Sequence, residues 1–201
     1  AYCICDMNFA TIKKYDVANG PGVRVSLFVS GCTHRCKGCF NAEAWDFDYG
    51  QPYTAKTEEE ILSALDHSYI AGLSLLGGEP FDPRNQETVC GLLKKVRARF
   101  PQKDVWCYTG YTLDKDLKEG GAAYTPFTKD MLESIDVIVD GEFVEALKDI
   151  KLRFRGSSNQ RIIDLKRTRG SGEIKLWLDG GVDGTYYADK DLAKGKSEYK
   201  G

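Results

Sequence analysis

The sequence predicts an α/β fold with a mostly parallel sheet. Three observations carry that expectation. Runs rich in β-branched and aromatic residues alternate with runs whose apolar residues recur at helical spacing. Short Gly-, Pro- or Cys-rich motifs stand directly at the ends of the strand-like runs. At 201 residues the chain is long enough for one domain with its own core.

The elements follow in order. Val23 to Val29, VRVSLFV, reads as a strand that runs into a cysteine-rich loop. Thr57 followed by Glu60 has the form of a capping box, and Ile61, Leu62 and Leu65 continue it as an apolar helix stripe. Ala71 to Leu76 reads as a second strand and passes straight into Gly77-Gly78-Glu79-Pro80. Val89, Leu92, Leu93, Val96 and Phe100 lie at helical spacing until Pro101 ends the pattern. Val105 to Tyr108 forms a third strand ending in Thr109-Gly110. Thr128 to Ser134 predicts a short helix, and Asp136 to Asp140 the strand after it. Leu152 to Asp164 suggests two extended stretches around a polar turn, and Glu173 to Leu178 one further strand. From Gly181 onward aliphatic residues are few and charges many, which reads as a loose tail. In parallel sheets ligands sit beyond the carboxyl ends of the strands. The cysteine loop, the GGEP run, Thr109-Gly110 and Asp140 all fall at such ends, so one mouth is expected to gather them.

The net charge of -2 comes from 28 basic and 30 acidic residues, which gives no general reason to expect nucleic-acid or membrane partners. No run has the length of a membrane span, and the first residues lack the order of a secretion signal. The seven cysteines are odd in number and clustered, unlike a secreted disulfide scaffold, so a reduced, cytoplasmic protein is expected.

Cys32, Cys36 and Cys39 are spaced C-x3-C-x2-C. A redox dithiol needs only two of them. Structural zinc wants four ligands, and His34 inside the loop is the available fourth, although a lone loop histidine is more often a surface residue. A [4Fe–4S] cube held by three thiolates keeps one iron open for a substrate or cofactor. Spacing alone leaves zinc and cluster both open. Cys3 and Cys5 read as ordinary exposed thiols, and Cys90 and Cys107 as small buried hydrophobes. Lys94, Lys95, Arg97, Arg99 and Lys103 are explained as a solvated helix face, with a docking face as the sharper alternative.

The ordered set of C-x3-C-x2-C after a strand, GGEP after the next strand and NGPGVR at Asn19 to Arg24 resembles the radical S-adenosylmethionine (SAM) superfamily. Within it, the stretches KKYDVANGPGVRVSLFVSGCTHRCKGCFN, LSLLGGEPFDPRN, VWCYTGY, IDVIVDGEFV and RFRGSSNQRIID resemble the activators of anaerobic ribonucleotide reductase, from about Ile12 to Asp164. Many superfamily members have an aromatic residue just before the third cysteine. Here that place is Gly38 and the aromatic follows as Phe40, as in the reductase activators.

That resemblance implies a partial (βα) barrel spanning residues 1–165, followed by an extension over 166–201. It implies a [4Fe–4S] cluster on Cys32, Cys36 and Cys39. SAM would lie near Phe40, Gly77, Gly78, Glu79, Pro80, Thr109, Gly110 and Asp140, with no catalytic acid or base; Glu79 would either accept a hydrogen bond from the SAM ammonium or brace its loop. It implies a glycyl-radical partner, the large catalytic subunit of the reductase, met by Asn19, Gly20, Pro21, Gly22 and Arg24, with an internal salt bridge as the other reading of Arg24. Related activators often have Asp where this chain has Asn19, which weakens a charge-based role there. A flavodoxin- or ferredoxin-like protein would supply electrons. The alternatives are an activator of another glycyl-radical enzyme, a small-molecule radical SAM enzyme, and a zinc-stabilised binding module.

Overall fold

The structure is a computed structural model that describes residues 7–177. Along the chain run β1 (Asn8–Asp16), β2 (Val23–Val29), a 3-10 turn (Ala42–Trp45), β3 (Gln51–Pro52) and α1 (Ala55–Leu65). Then come β4 (Ile70–Gly77), α2 (Gln86–Arg99), β5 (Asp104–Tyr108), α3 (Thr128–Ser134) and β6 (Val137–Asp140). A second 3-10 turn (Glu145–Leu147), β7 (Arg161–Asp164) and α4 (Leu165–Ser171) complete the order.

The strands form one seven-stranded sheet in the order β3-β1-β2-β4-β5-β6-β7. Its centre is parallel: β2 pairs β4, β4 pairs β5 and β5 pairs β6 in parallel register. Its flanks are antiparallel, β1 against β2 and β3 on one side and β7 against β6 on the other. The sheet is therefore mixed rather than mostly parallel. Each parallel step carries a crossover helix, whereas β1 to β2 and β6 to β7 return without one, and such a return makes an antiparallel neighbour.

Alternation along the strands divides the sheet into two faces. Val25, Leu27, Leu73, Leu75, Val105, Cys107, Ile138 and Ile163 face the helices and pack with Ile61, Leu62, Leu65, Leu92, Leu93, Val96 and Met131. The other face carries Arg24, Ser26 and Ser74, all fully buried, beside Trp106, Val139 and Ile162. Cys90 and Cys107 are buried in the helix-side core as small apolar side chains.

Several local expectations are corrected. The capping box of α1 is formed by Thr54 and Thr57, not by Thr57 and Glu60. Thr57 N donates to Thr54 Oγ1 and Thr54 N to Thr57 Oγ1, both at 3.3 Å. Thr54 has the extended backbone of a cap, so the helix starts one turn before the predicted signal. Of Leu152 to Asp164 only Arg161–Asp164 is a strand; Phe154 takes left-handed backbone (φ 59°) and turns the chain. Leu176 makes an isolated bridge to Ile163 instead of belonging to a strand. The strand β1 and helix α4 were not anticipated. Leu178, Cys3, Cys5 and the predicted tail lie outside the described residues. Among the described residues no helix is long and apolar enough to cross a membrane.

Candidate functional site

The cysteine loop begins where β2 ends and is tied down before its first thiol. Ser30 N donates to Asn8 O (2.9 Å), Gly31 N to Ala44 O (2.8 Å) and Cys32 N to Trp45 O (3.1 Å). The chain turns at Arg35 (φ 51°) and Gly38 (φ 75°), and Cys39 N donates to Cys36 O (3.1 Å). Cys32, Cys36 and Cys39 are all free and half-buried. Burial, helped by the charge of Glu79, pushes the Cys32 thiol up to about 12, and burial also raises Cys36. Among the described residues no three His, Cys, Asp or Glu side chains are gathered closely enough to hold a metal ion. The donor set nonetheless fits an iron–sulfur group, because three soft thiols share one short loop and a bound cation displaces their protons.

The Gly77–Pro80 run packs directly on this loop. Gly78 N donates to Val29 O (2.7 Å) and Glu79 N to Gly31 O (2.8 Å). A Cβ at Gly78 would stand 2.5 Å from Gly31 O and 2.9 Å from Ala44 O. At Gly77 (φ +108°) it would stand 2.7 Å from the Phe28 backbone. The close approach these glycines permit is to main chain, that of the cysteine loop at Gly78 and that of the end of β2 at Gly77. Asn85, which the sequence reading passed over, ties both loops by donating from Nδ2 to Ser30 O (3.0 Å) and Glu79 O (2.9 Å).

Glu79 is 1 % exposed, and its carboxylate is fully engaged. Oε1 accepts from Phe81 N (2.9 Å), and Oε2 accepts from Gly110 N (2.8 Å) and meets His34 Nε2 at 3.1 Å. His34 Nδ1 meets Glu142 Oε1 at 2.9 Å. Burial opposes a charge on the imidazole, but the bonds and charges of Glu79 and Glu142 outweigh it and raise its pKa to about 9. Both ring nitrogens are thus taken by carboxylates, so His34 is a poor fourth metal ligand. The loops after β2, β4, β5 and β6 meet here, as the strand-end motifs predicted.

Residues 18–163 match the family model of a 4Fe-4S single cluster domain. The anaerobic ribonucleoside-triphosphate reductase-activating protein of Enterobacteria phage T4 is 45% identical over 156 residues, covering 78% of this chain and 93% of that protein. Its counterpart in Escherichia coli strain K12 is 43% identical over 162 residues, covering 80% and 100%. The one in Vibrio cholerae is 43% identical over 158 residues, covering 78% and 97%. The chain belongs to the anaerobic ribonucleoside-triphosphate reductase-activating proteins.

The other predicted site residues are placed unevenly. Pro80 and Thr109 are buried, and Thr109 Oγ1 accepts from Tyr111 N (3.1 Å). Asp140 is fully buried and its oxygens are engaged: Arg161 Nε donates to Oδ1 (2.9 Å), while Arg161 Nη2 (2.6 Å) and Leu113 N (2.8 Å) donate to Oδ2. Phe40 is 74% exposed, tilted against Phe143 and beneath the Lys148 ammonium.

The Asn19–Gly22 loop stands apart from these loops. It enters β2 at its amino end, and the seven-residue strand spans about 20 Å to the cysteine side. Ser74 Oγ donates to Asn19 O (2.6 Å), which lays the loop on the sheet face away from the helices. Arg24 is not partner-facing. It is fully buried, donating to Ser74 Oγ (2.7 Å), Leu73 O (2.9 Å) and Pro21 O (3.1 Å), and it pairs with Asp104 Oδ1 at 2.6 Å. Gly20 is buried against it, whereas Asn19, Pro21 and Gly22 keep exposed surface. A cavity of about 730 Å³ opens beside the cysteine loop, lined by Cys32, Thr33, Arg35, Trp45, Phe47 and Arg84 among others. None of Gly77 to Pro80 lines it.

Proposed function

We infer that this protein is an activating enzyme of the radical SAM class that generates a glycyl radical on anaerobic ribonucleotide reductase. Its cofactors are one [4Fe–4S] cluster and SAM. The observation that carries the reading is the direct locking of a three-thiol loop to the Gly77–Pro80 loop through Glu79 N and Gly31 O (2.8 Å). It stands in a chain 45% identical to a phage T4 protein of that name. Cys32, Cys36 and Cys39 would hold the cluster through their thiolates. When bound, cluster and SAM together supply an electron and a sulfonium whose reductive cleavage gives methionine and a 5'-deoxyadenosyl radical able to take a hydrogen from a glycine Cα.

The chain's own residues orient and enclose; radical chemistry needs no general base from them. Glu79 holds the two loops in register with Gly110. Gly77 and Gly78 let main chain meet main chain there. The exposed ring of Phe40 borders the cysteines and would cover the cluster. The methionyl end of SAM would lie at Gly77–Pro80 and its nucleoside toward Thr109 and Gly110, with Asp140 bracing the β6 end through Arg161. Asn19, Pro21 and Gly22 would meet the reductase's glycine loop. Residues 1–165 would form the activase domain as a partial (βα) barrel, its four parallel strands supporting the mouth, with 166–201 as an extension. A flavodoxin- or ferredoxin-like donor would supply the electron in the reduced cytoplasm.

The decisive test incubates anaerobically reconstituted protein with SAM, a strong reductant and the reductase large subunit. A glycyl radical in the electron paramagnetic resonance (EPR) spectrum is the expected result. SAM cleavage without radical on that subunit would redirect the reading to another glycyl-radical partner.

A further inference from the structure

We propose that His34 is a positioning residue for this reaction, holding the cysteine loop in register with the three loops that face it. The proposal rests on the functional reading above and adds a role for a residue that is neither ligand nor acid–base group. His34 sits between Cys32 and Cys36, and its side chain is 9% exposed. Each edge of its ring meets a different part of the mouth. Nε2 faces Glu79 Oε2 at 3.1 Å on the loop after β4. Nδ1 faces Glu142 Oε1 at 2.9 Å on the loop after β6. After β5, Tyr111 stands edge-on with ring centroids 4.4 Å apart, and a Cβ at Gly110 would come within 2.6 Å of the ring. One side chain from the thiol loop therefore touches every other strand-end loop of the parallel centre.

The arrangement is directional. Glu79 Oε2 also accepts from Gly110 N (2.8 Å), so the imidazole, the carboxylate and the amide form one chain of contacts. Removing the ring takes away the side-chain tie between the thiol loop and Glu79, leaving the main-chain bond from Glu79 N to Gly31 O, and leaves the carboxylate with fewer donors. Ångström-scale register between cysteines and the Gly77–Pro80 loop is what a reaction between two bound groups demands. His34→Ala should therefore retain the cysteines' capacity for iron while losing the alignment.

The test uses the full chain and three variants: His34→Ala, His34→Gln, which keeps an N–H donor, and Glu142→Gln, on a side chain 58% exposed. The first readout is amide hydrogen exchange at Gly110 in the metal-free protein. The second is iron content after reconstitution, and the third is SAM affinity together with the SAM-induced change in the reduced EPR spectrum. His34→Ala should exchange Gly110 about tenfold faster and bind SAM about tenfold more weakly, the equivalent of one charge-assisted hydrogen bond, at near wild-type iron content. His34→Gln should recover most of both effects, and Glu142→Gln should show a smaller shift in the same direction. Unchanged Gly110 exchange and SAM affinity in His34→Ala would overturn the proposal, as would iron loss that His34→Gln does not restore. If His34→Ala does not fold, wild-type behaviour of Glu142→Gln overturns it and a parallel shift there upholds it. Wild-type protein that takes up no iron would defeat the functional reading instead, while the metal-free exchange measurement would still judge His34.

Discussion

Gly78 shows how little space separates the two loops of the site. Its backbone φ is not in the left-handed region, so its constraint is contact alone: Gly31 O would lie 2.5 Å from an added methyl group. Gly78→Ala is expected to destabilise the metal-free protein by about 1–3 kcal/mol, as overpacking does. Because the displaced atoms belong to the loop bearing Cys32, iron uptake should fall along with SAM cleavage. Melting curves and iron analysis check this; loss of SAM binding alone would place the methyl group against the cofactor instead. Cys36→Ala should abolish stable cluster and SAM cleavage together, read by iron content and product analysis. At this scale the cysteines were legible as a ligand set because three thiols fall within one short loop, but only the motifs around them favoured cluster over zinc. Arg24 was half legible: an internal salt bridge was one of its two readings, but its partners Ser74 and Asp104 lie 50 and 80 residues away. Glu79 was half legible: its bracing role was one of two readings, and Gly110 and His34, which give it partners, are far off in sequence.

Among the elements, α1 depends on its first turn. Thr54→Ala should cost about 1 kcal/mol by removing the reciprocal cap with Thr57, measurable in denaturant unfolding. The sheet face opposite the helices depends on Arg24 in the same way. Arg24→Ala strands the Ser74, Leu73 and Pro21 acceptors and should cost about 3–5 kcal/mol, the usual result of breaking a buried charged network. Next to it, Asp16 accepts from Ala18 N (2.9 Å) and Asn19 Nδ2 (2.6 Å). Burial raises its pKa, but these bonds and the nearby Lys13 charge outweigh burial, so the folded pKa lies below the ordinary value of 3.8. Its contribution is therefore present above that value and is lost as pH falls through the folded pKa. Asp16→Asn should flatten the acid limb of a stability–pH curve and leave the curve above pH 5 parallel to wild type. The strands β2, β4, β5 and β6 were legible because both their faces are covered and they read as near-continuous apolar runs. The strand β1 is an antiparallel flank with four exposed residues in nine, so its pattern is diluted. Helix α4, LKRTRGS, is seven residues of mostly polar composition, started by Asp164 Oδ1 accepting from Arg167 N (2.8 Å) and ended at Gly172. Nothing in its own pattern announces it.

Across the whole molecule, the residues beyond β7 close the fold. Leu165 N donates to Asp136 O (2.8 Å), Trp177 N donates to Ile162 O (2.9 Å), and Trp177 stands edge-on to buried Trp106 with centroids 4.8 Å apart. A chain ending at Asp164 should lose about 3 kcal/mol or more through the uncovering of Leu165's site and of Trp106. A red-shifted tryptophan emission should accompany the lower melting point; an unchanged spectrum would mean that the sheet face is covered by other residues. The sequence suggested a boundary near residue 165 because the family resemblance fades there, and the residues just beyond it pack on the sheet. The mixed character of the sheet was not legible. Strand direction depends on how a connection crosses the sheet, and the loops before β2 and before β7 carry no residue pattern that states it.

The contact between Gly110 and the His34 ring has a consequence for how this site can change over generations. A methyl group at position 110 would collide with the imidazole at 2.6 Å, so Gly110→Ala should be harmful in the present sequence. It should become tolerable once residue 34 is small. The reverse order also fails, because shrinking residue 34 first leaves Glu79 and Glu142 facing each other without the ring between them. The two positions therefore form a ratchet: neither can drift alone, and a lineage that holds both is expected to keep them as an inherited pair.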